Sequence, residues 1–473
     1  MNRYLSLLFA AILLINAKPP VLAEQGPAKT ESPAKTQSPA KTESPAKADT
    51  LPDPYMVMYA GVKENNYLTP LVELKRNEGR YAKSGTEEQQ MIFRYMMSYL
   101  HSYVGNYQEA HAYYDDIVGE ETRSDKQIKS SPKTEKDIES SPLDAYQARS
   151  AIETIAALAD THNVIMINEE HDEPMHRAFT TRLLPLLYAK GFRYLAAETL
   201  MATDKDLNQR GYPTQKTGFY TADPVYGDMI RTAMKLGYKA VAYEHASGGR
   251  CTPQADNPSS CQDERERGQA QNLYDRIFRD DPKAKVIVHV GRGHNQEIKR
   301  EKLSMMAAHF KVITGIDPFT IDQMFMSERS SPAAERAVYR YITAKREIKE
   351  PVAFQSEKGE FWKGYGFDLQ LFHPRTRYER GRPVWLRMGG MRKAKEIEMV
   401  KLKGAKQALS TPSPVILVQA FFAREGTDAL PVDQVVVTNA KDAPVLVLPR
   451  GAYRIRAIDK AGKIVGQYET LVN

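Results

Sequence analysis

Between residues 145 and 330, short apolar runs alternate with segments whose apolar positions recur at helical spacing. The apolar runs predict strands at 163–168, 194–197, 240–243, 285–290 and 312–316. The segments between them predict helices at 175–190, 226–236, 264–279 and 301–310. Continuous apolar strands such as Val-Ile-Met-Ile are typical of a sheet buried on both faces. We therefore expect an α/β domain with a parallel central sheet and helices on both of its faces.

The pattern changes on either side of this predicted domain. Residues 55–120 have apolar positions at helical spacing and a turn at Gly105-Asn106, which predicts a helical hairpin. Residues 121–144 are polar and predict a linker. Residues 331–410 predict a basic extension that begins with a helical stretch. Residues 411–473 alternate between apolar and polar positions, which indicates a small antiparallel, sandwich-like β module.

The N-terminus has the organisation of an export signal. Residues 1–23 begin with a positive charge at Arg3, continue with an apolar run too short to span a bilayer, and end in small residues. Residues 24–54 predict a disordered tether, because a Pro-Ala-Lys-Thr-Glu-Ser unit repeats through most of the segment. We expect a periplasmic or secreted protein whose mature chain has no transmembrane segment.

Composition adds one covalent and one electrostatic expectation. The only two cysteines, Cys251 and Cys261, lie in a polar loop, where an oxidising compartment would let them form a disulfide. The net charge of +7 is concentrated in residues 374–406, which hold eleven Lys or Arg and three Glu. This segment could contact an anionic surface such as a membrane, although a solvated basic face is the commoner explanation. We expect no nucleic-acid partner.

Polar residues follow the predicted strands, where parallel sheets bind their ligands. The first strand leads into Asn168-Glu169-Glu170-His171-Asp172, the second into Glu198, the third into Glu244-His245 and the fourth into Gly291-Arg292-Gly293-His294. The chain has ten histidines, and three of them fall on this edge, with His176 one helical turn further on. This concentration points to a site at the carboxyl ends of the strands.

Imidazole and carboxylate groups that converge can hold a divalent metal with an open position for water, or activate water directly as a general base. The candidate catalytic residues are Glu169, His171, Glu198, Arg265 and His294. Structural explanations stay open beside these roles. A carboxylate at a strand end can cap the next helix, Arg265 can orient a carboxylate or bind an anionic substrate group, and His289 lies inside a buried apolar run.

The segment 163–316 resembles the superfamily that unites ChaN-type haem-binding proteins, erythromycin esterases, TraB proteins and TIKI proteases. Its motifs Gly-Glu-x-His and Gly-x-x-His are similar to Asn168-Glu169-Glu170-His171 and Gly291-Arg292-Gly293-His294, with Asn168 in place of the first glycine. The spacing of His171 and His176 looks closest to the ChaN branch. Glu198 and Arg265 stand where the superfamily has a second-strand glutamate and an arginine.

The resemblance implies activities as different as haem binding, ester hydrolysis and metal-dependent peptide cleavage. Our first hypothesis is a hydrolase that acts on a small-molecule or peptide substrate, with Glu169, His171 and His294 activating water alone or on a divalent metal. The second is a haem- or iron-binding envelope protein that uses His171, His176 and His294. The third is an envelope interaction protein without catalysis.

Overall fold

The computed structural model describes residues 51–124, 141–245, 251–299 and 302–473 of the chain. The predicted signal peptide lies outside these ranges, as do most of the predicted tether and most of the predicted linker. Within the described ranges, no helix is both long enough and apolar enough to cross a bilayer.

Eight strands form the central sheet, in the order β1-β7-β8-β6-β2-β5-β3-β4. They are β1 (Gln147–Ser150), β2 (Val164–Glu169), β3 (Tyr194–Ala197), β4 (Lys239–Ala242), β5 (Val286–Gly291), β6 (Phe319–Asp322), β7 (Val352–Gln355) and β8 (Leu369–Phe372). The six strands from β8 to β4 run parallel, whereas β7 and β1 pair antiparallel at one edge. The expected α/β class with a parallel central sheet is confirmed.

Helices cover both faces of the sheet, as predicted. The side chains of β2 alternate between the faces: Ile165 and Ile167 pack in one core cluster, and Val164 and Met166 in another. The flanking helices of eight or more residues are α5 (Ala151–Leu158), α6 (Pro174–Ala189), α7 (Pro224–Leu236), α8 (Ser260–Leu273), α9 (Met306–Thr314) and α10 (Ala337–Lys345). Helices α6 and α7 lie on the first face, and α8 and α9 on the second.

The strand predicted at 312–316 is wrong, because helix α9 continues to Thr314 and the next strand is β6. Val312 is 70% exposed, so its apolar side chain belongs to no core. A short apolar run does not by itself distinguish a strand from the end of a helix.

The segment 331–410 also holds more regular structure than its sequence indicated, because it supplies β7 and β8 to the central sheet.

Four helices precede the sheet: α1 (Pro54–Val62), α2 (Leu68–Ser84), α3 (Glu87–Tyr103) and α4 (Tyr107–Ser124). The turn predicted at Gly105-Asn106 separates α3 from α4, and Gly105 adopts a left-handed φ of 84°. Their apolar side chains pack in the same cluster as one face of β2. The N-terminal helical region is therefore joined to the α/β domain through a shared core.

The C-terminal β domain is antiparallel, as predicted. One sheet has the order β13-β12-β15-β16, and a second pairs β11 with β14. These strands are β11 (Arg392–Glu396), β12 (Ile416–Phe422), β13 (Asp433–Val437), β14 (Val445–Pro449), β15 (Gly451–Asp459) and β16 (Ile464–Val472), preceded by the short β9 (Tyr378–Glu379) and β10 (Arg382–Pro383). The module therefore starts inside the basic segment, because β11 belongs to it.

The two cysteines are paired, as expected from the sequence. The sulfur atoms of Cys251 and Cys261 are 2.03 Å apart, and the bond closes a loop across ten residues at the start of helix α8. This loop precedes Arg265, so the disulfide anchors the segment that delivers Arg265 to the edge of the sheet.

Candidate functional site

Four of the five predicted catalytic residues line one cavity at the carboxyl ends of β2, β3 and β5. The cavity volume is about 40 Å³, room for a water molecule together with a carbonyl group but for little more. Its lining residues are His171, Glu198, Thr199, Met201, Phe219, Tyr220, Glu244, Arg265, Gly291, Arg292 and His294. The structure therefore brings together His171, Glu198, Arg265 and His294, and it places Glu169 directly behind them.

Glu169 is the last residue of β2 and is buried with both carboxylate oxygens occupied. Arg177 donates to Oε2 at 2.6 Å through Nε and to Oε1 at 2.7 Å through a terminal nitrogen. His289 lies 2.7 Å from Oε2. Burial alone would raise the pKa of Glu169, but the Arg177 guanidinium and the neighbouring His289 and His171 rings lower it well below its usual range. Glu169 is therefore a fixed negative charge that does not reach the cavity.

The Glu169 carboxylate sets the orientation of His171. Its Oε1 atom lies 3.0 Å from His171 Nδ1, so the imidazole donates its Nδ1 proton to Glu169. The other ring nitrogen, Nε2, is then the acceptor. Tyr220 stacks on the imidazole ring at 3.8 Å between centroids and fixes its plane. Gly291 packs against the Nε2 edge, and a Cβ atom there would lie only 2.5 Å from Nε2. His171 thus presents an oriented acceptor to the cavity.

Glu198 faces His171 across Gly291. Its Oε2 atom accepts a hydrogen bond of 2.6 Å from the Gly291 backbone N–H, and its Oε1 atom accepts one of 2.8 Å from Arg265. Burial would raise the pKa of Glu198, but the His294 and Arg265 cations lower it well below its usual range. Arg265 also donates to Glu244, at 2.6 Å. The guanidinium therefore lies between two carboxylates and is fixed at the cavity wall.

His294 is held as a cation by two carboxylates. Its Nδ1 atom lies 2.7 Å from Glu266, and its Nε2 atom lies 3.4 Å from Glu198 Oε1. Burial favours the neutral ring, but the charges of Glu266 and Glu198 outweigh it and raise the pKa of His294 to about 10. At neutral pH the ring is therefore positively charged at the cavity wall, beside Arg265, with both of its nitrogens facing carboxylates.

The raised pKa of His294 predicts that the free energy of unfolding decreases as the pH becomes alkaline. The folded pKa of about 10 exceeds the unfolded value of about 6.5, so this stabilisation is complete below pH 6.5 and is lost as pH rises towards 10. Urea unfolding between pH 6.5 and 10 should show the wild type losing up to about 1.4 kcal/mol per pH unit more than His294→Gln. If the free energy of unfolding falls with pH equally in the two proteins, the carboxylates do not hold His294 as a cation.

The donor set does not fit a metal ion. Glu169 has no free oxygen, His294 carries a proton, and the Arg265 guanidinium occupies the space between Glu198 and Glu244 where a cation would bind. Among the described residues, no group of three or more His, Cys, Asp or Glu side chains is arranged as a metal site. A porphyrin is many times larger than the cavity, so haem does not fit it either.

Other predicted positions lie behind the cavity. His176 is fully buried, accepts a hydrogen bond from the Glu170 backbone N–H at 3.0 Å and contacts Ser327, so it does not join His171 and His294. His289 supports Glu169 from the core. Asn168, which replaces the glycine of the resembled motif, donates to Asp322 at 2.7 Å and ties β2 to β6.

Three residues that shape the site were missed by the sequence reasoning. Arg177 neutralises Glu169, Glu266 holds His294, and Tyr220 covers His171. In the sequence, Arg177 directly follows His176 and Glu266 directly follows Arg265. Nothing in the spacing of Arg177 or Glu266 distinguishes them from surface charges. Tyr220 comes from a segment between β3 and α7 that has no strong periodicity.

Comparisons with known proteins leave the family open. No family model and no curated protein matches the chain. A solved structure of bacterial protein toxins is similar, with 13% identity and a TM-score of 0.29 over 60% of this chain and 68% of that chain. Another is RRSP, a MARTX toxin effector domain from Vibrio vulnificus CMCP6, with 11% identity and a TM-score of 0.27 over 66% of this chain and 58% of that chain. TM-scores this low carry no functional argument.

Proposed function

We propose that this protein is a hydrolase of ester or amide bonds that acts outside the cytoplasm and uses His171 as a general base without a metal ion. The observation that supports the proposal is the Glu169–His171 pair. A buried carboxylate accepts the Nδ1 proton of the imidazole, and the ring lines a cavity whose wall also holds two fixed cations. A carboxylate behind a histidine is the arrangement that enzymes use to keep an imidazole in its acceptor tautomer.

In the proposed reaction, His171 Nε2 removes a proton from a water molecule in the cavity. The water oxygen bonds to the carbonyl carbon, and the carbonyl π electrons move to its oxygen. The tetrahedral intermediate then collapses, the bond to the leaving group breaks, and the leaving oxygen or nitrogen takes the proton back from His171. Atoms and charges balance with water as the only co-reactant.

Arg265 and His294 supply the electrostatic part of the proposed mechanism. Both are held at the cavity by carboxylates, so they carry positive charge before the substrate arrives. Fixed positive charges of this kind stabilise the negative oxygen of a tetrahedral intermediate with little reorganisation. Glu198 positions both cations and accepts from Gly291, which keeps the wall of the cavity rigid.

The size of the cavity restricts how a substrate binds. A volume of about 40 Å³ admits the scissile carbonyl group, and the rest of the substrate must remain outside. Met201 is 39% exposed at the rim, beside Phe219 and Tyr220. We therefore propose an exposed ester or amide group, flanked by apolar atoms, as the preferred substrate.

The proposal is tested by screening the purified protein against aryl esters of increasing acyl length and against fluorogenic peptides, with and without a chelator. We expect hydrolysis that survives the chelator. Glu198→Gln should reduce kcat/KM by about a hundredfold, because it removes the charge that holds Arg265 and His294. Glu357→Gln, an exposed site distant in sequence, is the matched control. Loss of activity with chelator and recovery with zinc would overturn the metal-independent mechanism.

A further inference from the structure

A second, larger cavity lies between helix α7 and the C-terminal β domain. Its volume is about 760 Å³, far more than the 40 Å³ of the catalytic cavity. Clefts between packed domains are a common location for ligand sites. Two carboxylates line it, Asp228 and Glu425, against six cationic side chains: Arg210, Arg231, Lys235, Arg392, Arg424 and Arg450. We call this cavity the interdomain cleft.

Three of the six cations are neutralised by neighbouring carboxylates. Arg231 binds both oxygens of Glu425, at 2.8 and 2.7 Å. Arg392 lies 3.5 Å from Asp228, and Arg210 pairs with Asp204 at 2.7 Å. Both carboxylates of the interdomain cleft are therefore already paired with arginines of the cleft.

The other three cations have no such partner. Within the described ranges, no carboxylate oxygen lies within 4.0 Å of the charged nitrogens of Lys235, Arg424 or Arg450. All three side chains are exposed at the wall of the cleft. The interdomain cleft thus has an excess of positive charge that the protein itself does not compensate.

The β12–β15 pairing brings two of these arginines to the same end of the C-terminal sheet. Strands β12 and β15 pair antiparallel, with Phe422 opposite Tyr453. The Ala423 backbone N–H donates to Ala452 at 2.9 Å, which continues the pairing beyond the strand end. Arg424 follows the end of β12 and Arg450 directly precedes Gly451 at the start of β15, so both lie at this end of the strand pair. Both arginines line the interdomain cleft, so an anion bound there would be attracted by both charges.

Buried donors add to the positive potential. The NH1 atom of Arg231 and the Nε and NH1 atoms of Arg392 are buried without a hydrogen-bond acceptor among the described residues. Burial without an acceptor costs free energy, and a nearby negative charge offsets part of that cost. The same cleft has apolar walls at Leu236, Met388 and Phe422.

We propose that the interdomain cleft binds a phosphate monoester, with its dianionic phosphoryl group between Arg424, Arg450 and Lys235. Three uncompensated cations suit a dianion better than a single carboxylate, and arginine binds phosphoryl oxygens through paired N–H donors. The apolar wall accommodates a carbon chain attached to the phosphate. The basic segment 374–406 borders the cleft through Met388, Met391 and Arg392. This site is separate from the proposed hydrolase and does not depend on it.

The test measures binding of inorganic phosphate and glycerol 3-phosphate to the full chain by calorimetry, and flotation with phosphatidylcholine vesicles with or without phosphatidic acid. We expect binding in at least one arm, weakened about tenfold or more in the Arg424→Ala/Arg450→Ala double variant. Binding of the soluble phosphates alone indicates a free ligand, and binding of the phosphatidic acid vesicles alone indicates a lipid headgroup.

The control is the Lys403→Ala/Lys406→Ala double variant, which removes two exposed charges of the basic segment that do not line the cleft. It should bind as the wild type does. Lys235→Gln, a single mild change on helix α7, should also weaken binding and guards against a folding defect in the double variant. Absence of binding in every arm, or equal loss in the control, would overturn the proposal.

Discussion

An Arg177→Ala variant is expected to lose about 3–5 kcal/mol of the free energy of unfolding. Arg177 is fully buried at the start of α6 and binds both oxygens of Glu169, the His171 carbonyl oxygen at 2.8 Å and Asp223 at 3.1 Å. Its removal leaves two carboxylates buried without their cation. Globular proteins have total stabilities of about 5–15 kcal/mol, so this one change should bring the protein close to unfolding.

Urea unfolding followed by circular dichroism measures this loss. Arg182→Ala is the matched control, because Arg182 lies on the same helix, is partly exposed and makes a long ion pair of 3.8 Å with the exposed Glu350. It should change stability by less than about 1 kcal/mol. A loss of similar size in both variants would mean that Arg177 acts through ordinary packing and not as the counter-ion of Glu169.

The fold and the location of the site were predictable because both follow from a repeated local pattern. Apolar strand runs alternate with helical segments, and parallel strands end at the same edge. Residues that follow different strands in sequence, such as Glu169, Glu198 and His294, therefore had to lie near one another. Arg265 lies in a helix and follows no strand, so its candidacy rested on its charge at the start of a predicted helix and on the resemblance to a superfamily.

The roles of these residues could not be read from the sequence. Glu169 and His294 were predicted as metal ligands. Whether their oxygen and nitrogen lone pairs are free to bind a metal depends on partners that lie far away in the chain or on a helix face. Glu266 lies 28 residues before His294, and their contact requires α8 to pack beside β5. Whether a carboxylate is a ligand or a counter-ion depends on which cation the fold places beside it.

The N-terminal helices also contribute more to the site than their sequence indicated. Tyr95 and Tyr114 contact the guanidinium of Arg292, which follows Gly291 in the cavity wall. Tyr114 also donates to Glu170, and His111 pairs with Glu173. The helical region is therefore part of the wall that supports the loops of the candidate site, and no local pattern could have shown which helix face meets them.

His171→Asn is expected to lower kcat/KM by about a thousandfold on any substrate that the wild type hydrolyses, because it removes the only imidazole acceptor that faces the cavity among the described residues. The fold should survive. Asn can still donate to Glu169, and Arg177 and His289 still compensate that carboxylate. Steady-state rates at neutral pH, together with an unchanged unfolding midpoint, would show that the loss is chemical.

Gly291→Ala tests the same assignment while His171 and Glu198 both stay in place. A Cβ at position 291 would lie 2.3 Å from His171 Cε1 and 2.7 Å from Glu198 Oε2, so the two side chains must move apart. These near atoms belong to side chains and not to the backbone, so we expect the two side chains to take up the change. We expect a loss of activity comparable to that of His171→Asn. If Gly291→Ala keeps full activity, the close approach of His171 to Glu198 is not needed for hydrolysis. If His171→Asn keeps activity within about tenfold of the wild type, another group is the base.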